Sequence, residues 1–87
     1  MAPQNDSPAI QDEAPWSETI TEYDRAHFVH YVRLLDAVAA HASDAEMCRL
    51  VLGIDYAQDP KRAKRVLDSH LKRARWMSEH GYRQLLQ

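Results

Sequence analysis

Residues 59–81 read DPKRAKRVLDSHLKRARWMSEHG, and this stretch predicts one amphipathic helix around which the chain is organised. Asp59 is a typical N-cap, and Pro60 suits the first helical position because its missing N–H is not needed there. Gly81 is expected to end the helix in the left-handed conformation. At about 100° per residue, one arc of the helix is largely apolar and predicts a buried face. This arc consists of Ala63, Val66, Leu67, His70, Leu71, Ala74 and Met77.

The other side of this helix is a row of cations. Its outward residues are Lys61, Lys64, Arg65, Lys72 and Arg75, with Arg62 and Arg73 on a flank. Trp76 lies among the outward cations, where it is either an interface anchor or a side chain covered by the tail or by the C-terminal YRQLLQ. We predict a partner-binding surface made of Lys61, Arg62, Lys64, Arg65, Lys72, Arg73 and Trp76.

The two halves of the chain carry opposite charge. Residues 1–59 hold eleven Asp or Glu and three Lys or Arg, a net charge of −8. Residues 60–87 hold eight Lys or Arg and two Asp or Glu, a net charge of +6. This asymmetry indicates an anionic partner for the basic helix. That partner is nucleic acid, an acidic protein surface or the chain's own acidic half.

The length of 87 residues suits one small domain with little stability in reserve. The single Cys48 has no partner for an internal disulfide, which is typical of a reducing compartment. The sequence has neither an apolar run of about 18 residues nor a basic-then-apolar leader, so we expect no membrane span and no signal peptide. The expected location is the cytoplasm.

The N-terminal segment differs in composition from the rest. Residues 1–16 contain three prolines, several acids and no apolar period, which is typical of disorder because little apolar surface is available to offset the entropy of ordering. We predict a disordered tail over residues 1–20 and a helical domain over residues 21–87. Trp16 and Ile20 are the exceptions, and they either dock onto the domain or stay exposed to bind a partner.

Two further helices are predicted before the basic one. Residues 21–24, TEYD, have the spacing of a capping box and predict a first helix that runs to about His41. Residues 43–46, SDAE, form a second capping box that opens a helix ending at Gly53.

A long helix, a short helix and a basic helix in this order are typical of a helix-turn-helix unit. The connection between Gly53 and Asp59 is longer than the turn of about three to four residues in a standard unit. We therefore predict an all-α fold: a small three-helix bundle, a helix-turn-helix variant, with a disordered N-terminal tail. In a DNA-binding unit, the first turns of the basic helix would contact phosphates, and arginine would also read guanine.

The sequence carries few signs of catalysis. Its five histidines are scattered, and His27 with His30 has a helical spacing that no Cys or carboxylate pattern completes to a metal site. His70 is expected to be a neutral, hydrogen-bonded core histidine. Cys48 lacks a neighbouring base, and no glycine-rich phosphate loop occurs. We expect neither an enzyme nor a bound metal or cofactor.

Three stretches carry a resemblance to a known family. These are residues 33–37 (RLLDA), the second helix over residues 43–53, and residues 81–86 (GYRQLL). Together they resemble the domain of unknown function 2285 family, a small helix-turn-helix-like domain of proteobacteria. The likeness covers roughly residues 22–87, and the ending after an arginine-rich helix is its most specific part. Members often carry Gly-Gly-Tyr where this chain has His80, Gly81 and Tyr82.

This resemblance implies a non-enzymatic regulator. It suggests an antiactivator like those of rhizobial symbiosis islands, which binds a quorum-sensing activator of the LuxR or TraR type and an FseA-like activator. Such binding would repress excision and conjugative transfer of the element. The alternative hypothesis is a DNA-binding transcriptional regulator that uses the basic third helix. A dimerising structural module is the third.

Overall fold

The computed structural model describes residues 9–85, and these residues contain helices and no strand. The helices are α1 (Glu22–Ala26), α2 (Phe28–Ala39), α3 (Asp44–Met47), α4 (Pro60–Trp76) and α5 (Tyr82–Leu85). A π-helical turn over Cys48–Leu52 extends α3, and another over Met77–Gly81 joins α4 to α5. The all-α prediction is confirmed.

The first predicted helix is divided. The capping box at its start is confirmed, because Thr21 Oγ1 accepts from the Asp24 amide and Asp24 Oδ2 accepts from the Thr21 amide. The helix then breaks at His27, whose φ of −115° and ψ of 17° lie outside the helical range. The buried His27 ring stacks on the Tyr23 ring, with centroids 4.2 Å apart. The periodicity of the sequence did not predict this break.

The second helix and the start of the basic helix agree with the sequence. Ser43 and Glu46 form the expected capping box, and Gly53 ends the segment with a left-handed φ of 70°. Asp59 caps α4 by accepting from the Arg62 amide at 3.2 Å, and Pro60 occupies the first turn.

The end of α4 differs from the prediction. Gly81 was expected to end the helix in the left-handed conformation, but Gly53 is the glycine with positive φ in the described chain, and the helical path continues through Gly81 into α5. A Cβ at Gly81 would lie 2.6 Å from Cζ3 of Trp76 and 2.7 Å from Sδ of Met77. Glycine is therefore needed there for close packing and not for a left-handed turn.

The core lies between α2, the α3 segment and α4. Its larger cluster contains Leu34, Met47, Cys48, Val51, Leu52, Ala63, Val66, Leu67 and Leu71. A smaller cluster contains Tyr31, Ala74 and Met77. Every residue of the predicted apolar arc of α4 is buried, so that prediction is confirmed. No helix within residues 9–85 has both the length and the apolar character needed to cross a membrane.

Residues 9–20, which we call the strap, have no helix and lie along the domain. Ile10 packs against the larger core cluster and Ile20 against the smaller one. The strap runs in the same direction as α4, because Asp12 contacts Arg62 and Ala14 contacts Ser69. The expected disorder of residues 1–8 lies outside the described residues. Helix α1 begins at Glu22, directly after Thr21. The division into a disordered tail over residues 1–20 and a helical domain over residues 21–87 stays a prediction.

Candidate functional site

The exposed side of α4 carries a row of positively charged side chains. Five cations, which we call the basic face, are exposed along it: Lys61, Lys64, Arg65, Lys72 and Arg75. From the first to the last of them the helix rises about 21 Å at 1.5 Å per residue. The apolar arc holds the opposite side of α4 against α2 and α3, so this row points away from the core.

Lys64, a member of the basic face, is paired with two carboxylates of the same chain. Lys64 Nζ lies 3.1 Å from Asp44 Oδ2 and 3.2 Å from Asp68 Oδ1. The hydrogen bond to Asp44, followed by that to Asp68, raises the pKa of the Lys64 ammonium. These pairs are exposed to solvent, and such pairs are weak and screened by salt.

Asp12 of the strap pairs with two arginines. Its Oδ1 accepts from Nε of Arg62 at 3.1 Å and lies 2.9 Å from Nη2 of the same residue. Its Oδ2 lies 4.0 Å from Nη2 of Arg65. One strap carboxylate therefore faces two of the four cations in the first turns of α4.

The remaining cations of the basic face have no ion pair within the described residues. These are Lys61, Lys72 and Arg75. The Lys72 ammonium lies over the Trp16 ring, 5.1 Å from its centroid. Part of the predicted positive surface is therefore available to a partner, and part is used within the fold.

Arg73 occupies a different place from the one expected. The sequence put it on a flank of the cationic side, but its side chain is fully buried. Its Nε and Nη2 donate to Asp24 at 2.9 and 2.6 Å, and its Nη1 and Nη2 also donate to the carbonyls of Ser17 and Thr19 at 2.6 and 3.0 Å. Arg73 fastens the strap and α1 to α4, and its position gives it no exposed surface for a partner.

The Asp24 carboxylate is the centre of this buried network. It also accepts from the Tyr31 hydroxyl at 2.9 Å. Burial acts to raise the pKa of Asp24, but the hydrogen bonds from Arg73, the Thr21 amide and Tyr31 together hold that pKa below its ordinary value. Asp24 is therefore ionised in the folded protein and matched by a buried cation.

Trp76 is only partly exposed. Its ring stacks on the Arg73 guanidinium, 3.9 Å from ring centroid to Cζ, and meets the Trp16 ring edge-on at 6.2 Å. The expected alternative of a tail that covers Trp76 agrees with this contact. Trp16 itself remains 55% exposed, so it is the larger aromatic surface beside Lys72.

His27, at the break between α1 and α2, lies close to His30 of α2 and to His70 of α4. Nδ1 of His70 donates to the Val66 carbonyl at 2.7 Å, so its Nε2 accepts from the Tyr23 hydroxyl at 2.5 Å. This is the neutral core histidine that the sequence predicted. Nδ1 of His27 lies 3.2 Å from Nδ1 of His30, and the buried His27 Nε2 has no hydrogen-bond partner among the residues that the structure describes. Within residues 9–85, no group of three or more His, Cys, Asp or Glu is arranged to hold a metal ion.

Sequence reasoning missed Asp12 and Asp24 as site residues. Asp24 was recognised only as part of a capping box, and Asp12 only as part of a disordered tail. Their cations lie 49 and 50 residues further along the chain, and no local spacing connects them. The one signal for these contacts in the sequence was the charge asymmetry between the two halves of the chain. It allowed the acidic half of the chain to be the anionic partner of the basic helix.

Comparison with known proteins gives one informative match. A family model described as the DNA-binding domain of a T6SS transcription factor, RovC_DNA-bd, matches residues 6–87. No curated protein sequence matches the chain. The resemblance to the domain of unknown function 2285 family, and within it to the antiactivator QseM, is therefore wrong, because the matching model is a different one and covers nearly the whole chain. The antiactivator hypothesis loses the support that it took from that resemblance.

Proposed function

Since this chain belongs to the family of T6SS transcription factor DNA-binding domains, we propose that it binds duplex DNA through the basic face of α4. Membership of this family supports the alternative hypothesis from the sequence, that the chain is a DNA-binding transcriptional regulator. The partners implied by the earlier resemblance, activators of the LuxR or TraR type and FseA-like proteins, have no support among the comparisons.

The observation that carries the proposal is the row of exposed cations on one side of α4. Lys61, Lys72 and Arg75 have no ion pair within the described residues, and Lys64 and Arg65 are held only by exposed pairs. DNA phosphates can replace exposed carboxylates because each cation that neutralises a phosphate also releases condensed counterions. A row of exposed cations of this kind is typical of a surface that binds DNA mainly through contacts with the phosphate backbone.

The order of helices supports a docking mode with the start of α4 towards the major groove. In helix-turn-helix proteins, the N-terminal residues of the recognition helix contact base edges while the preceding helix crosses the backbone. Lys61 and Arg65 lie in the first turns of α4, and Asp44 begins the preceding helix. Among these residues arginine is suited to guanine, which presents two acceptors in the major groove. We therefore expect phosphate contacts to dominate, with Arg65 giving a preference for guanine.

The test is a fluorescence-anisotropy titration of labelled duplex DNA with the full chain at 50 mM salt. The variant Arg65→Glu with Lys72→Glu should bind at least tenfold more weakly, because both side chains lie on the basic face. The matched control is Arg25→Glu with Arg33→Glu, which changes the net charge equally on exposed residues of α1 and α2. The control should lose less affinity than the test variant, and circular dichroism should show the same helicity for all proteins.

Equal losses in the two variants would contradict the proposed surface, because net charge alone would then explain the effect. Absence of duplex binding by the unaltered protein at 50 mM salt would contradict DNA binding itself. That result would favour a protein partner for the basic face.

A further inference from the structure

The strap places a carboxylate where a DNA phosphate would lie. Asp12 accepts from Arg62 at 3.1 Å and also faces Arg65 at 4.0 Å. The three side chains are 43–53% exposed, so both ion pairs are open to solvent. Another anion can therefore replace the Asp12 carboxylate at the two arginines. This differs from the buried Arg73–Asp24 pair, from which solvent is excluded.

Asp12 is held in this position by neighbouring strap residues. Ile10 packs against the larger core cluster, and the Gln11 amide donates to the Tyr23 hydroxyl at 3.0 Å. Beyond Asp12, the Ala14 amide donates to Ser69 Oγ on α4 at 3.1 Å. Contacts on both sides therefore fix the backbone that carries the carboxylate, which raises its effective concentration at the two arginines.

The far end of the strap is fastened more strongly. The buried Arg73 guanidinium donates to the Ser17 and Thr19 carbonyls, and the Ile20 amide donates to Gln84 Oε1 at 3.1 Å. Release of Asp12 therefore does not require release of the whole strap. The exposed contact can open while the end near Arg73 stays in place.

We infer that the strap is a built-in competitor for DNA, in which the Asp12 carboxylate occupies the phosphate positions at Arg62 and Arg65. The inference rests on the proposed function and adds a regulation of the same surface. Duplex DNA must displace Asp12 to reach the first turns of α4, so the strap lowers affinity for every duplex. DNA sequences that make good contacts with the rest of the basic face displace Asp12 more readily than non-specific DNA does.

The test compares Asp12→Asn with Glu13→Gln in the full chain. Each change removes one negative charge with almost no change in shape, but Glu13 is exposed and forms no ion pair within the described residues. Asp12→Asn should tighten binding of a labelled duplex at 50 mM salt by roughly two- to tenfold. Glu13→Gln should change it by less than twofold, since it alters only the long-range field.

A second arm isolates the contact itself. In a background of Arg62→Ala with Arg65→Ala, Asp12→Asn should have no further effect on affinity, because the cations that it frees are absent. An equal gain from Asp12→Asn and Glu13→Gln, or a gain that persists in that background, would overturn the competitor role while leaving DNA binding intact. If neither the unaltered protein nor any variant binds duplex at 50 mM salt, the proposed function fails and this inference fails with it.

Discussion

The Asp24 carboxylate accepts two hydrogen bonds from the Arg73 guanidinium, from Nε at 2.9 Å and from Nη2 at 2.6 Å, and neither side chain is exposed. The same guanidinium holds two strap carbonyls and stacks on Trp76. One buried cation therefore connects α1, α4 and the strap. The pair therefore determines how the strap and α1 are attached to the basic helix.

The first prediction follows from this pair. Arg73→Leu leaves the Asp24 charge buried without its cation, which should lower the free energy of unfolding by about 3–5 kcal/mol. Arg75→Ala, an exposed residue of the same helix, should change it by no more than about 0.5 kcal/mol. Urea unfolding followed by circular dichroism measures both. Equal stability of the two variants would show that the buried pair has no structural role.

The second prediction concerns Gly81. An alanine in a helix is ordinarily more stable than a glycine by about 1 kcal/mol, so helix propensity alone favours Gly81→Ala. A Cβ at this position would lie 2.6 Å from Trp76 and 2.7 Å from Met77, and we expect overpacking to lower the free energy of unfolding by about 1–3 kcal/mol. The sign of the change in the free energy of unfolding shows whether helix propensity or overpacking is the larger effect. A rise in the thermal midpoint would mean that the two side chains move aside without cost.

The third prediction is a loss of stability in mild acid. Burial lowers the pKa of His70, and burial likewise lowers the pKa values of His27 and His30. In the unfolded chain these groups titrate near their ordinary pKa of about 6.5. Below about pH 6.5 the unfolded state therefore binds more protons than the folded state, and the free energy of unfolding falls as the pH decreases from there towards the folded pKa values.

Urea unfolding at pH 7.5, 6.5 and 5.5 measures this dependence. His70→Gln removes one of the titrating groups and should flatten the fall between pH 6.5 and 5.5. His41→Gln, at an exposed histidine, should keep the slope of the unaltered protein. A slope that is the same in both variants would exclude His70 as a source of the pH dependence.

The helices and the buried side of α4 could be predicted because their signals are local. The cap at Asp59, the capping boxes and the apolar arc depend on residues a few positions apart, and the folded chain uses all of them. The arc also placed His70 correctly in the core. These features determine where the outward side of α4 lies, and with it the candidate site.

The departures from prediction involve partners distant in sequence. Helical periodicity put Arg73 on a flank, and burial of that residue depends on Asp24, 49 residues earlier, which the helix-wheel angle cannot register. Gly81 suggested a helix end, but the ring of Trp76 requires the small residue. The composition of the N-terminal segment assigned Asp12 to the tail, but its role depends on how the strap packs against the domain. In each case a local rule was overridden by a tertiary contact.

The salt dependence of duplex binding tests the central claim, that α4 binds the DNA backbone through its basic face, most directly. Each phosphate contact contributes about −0.9 to the slope of log affinity against log salt concentration. Three contacts from Lys61, Lys72 and Arg75, or six with Arg62, Lys64 and Arg65 included, predict a slope of roughly −3 to −5.5 between 50 and 200 mM salt. A slope in that range for the unaltered protein supports the assignment. A slope near zero, or no binding at 50 mM salt, would contradict it.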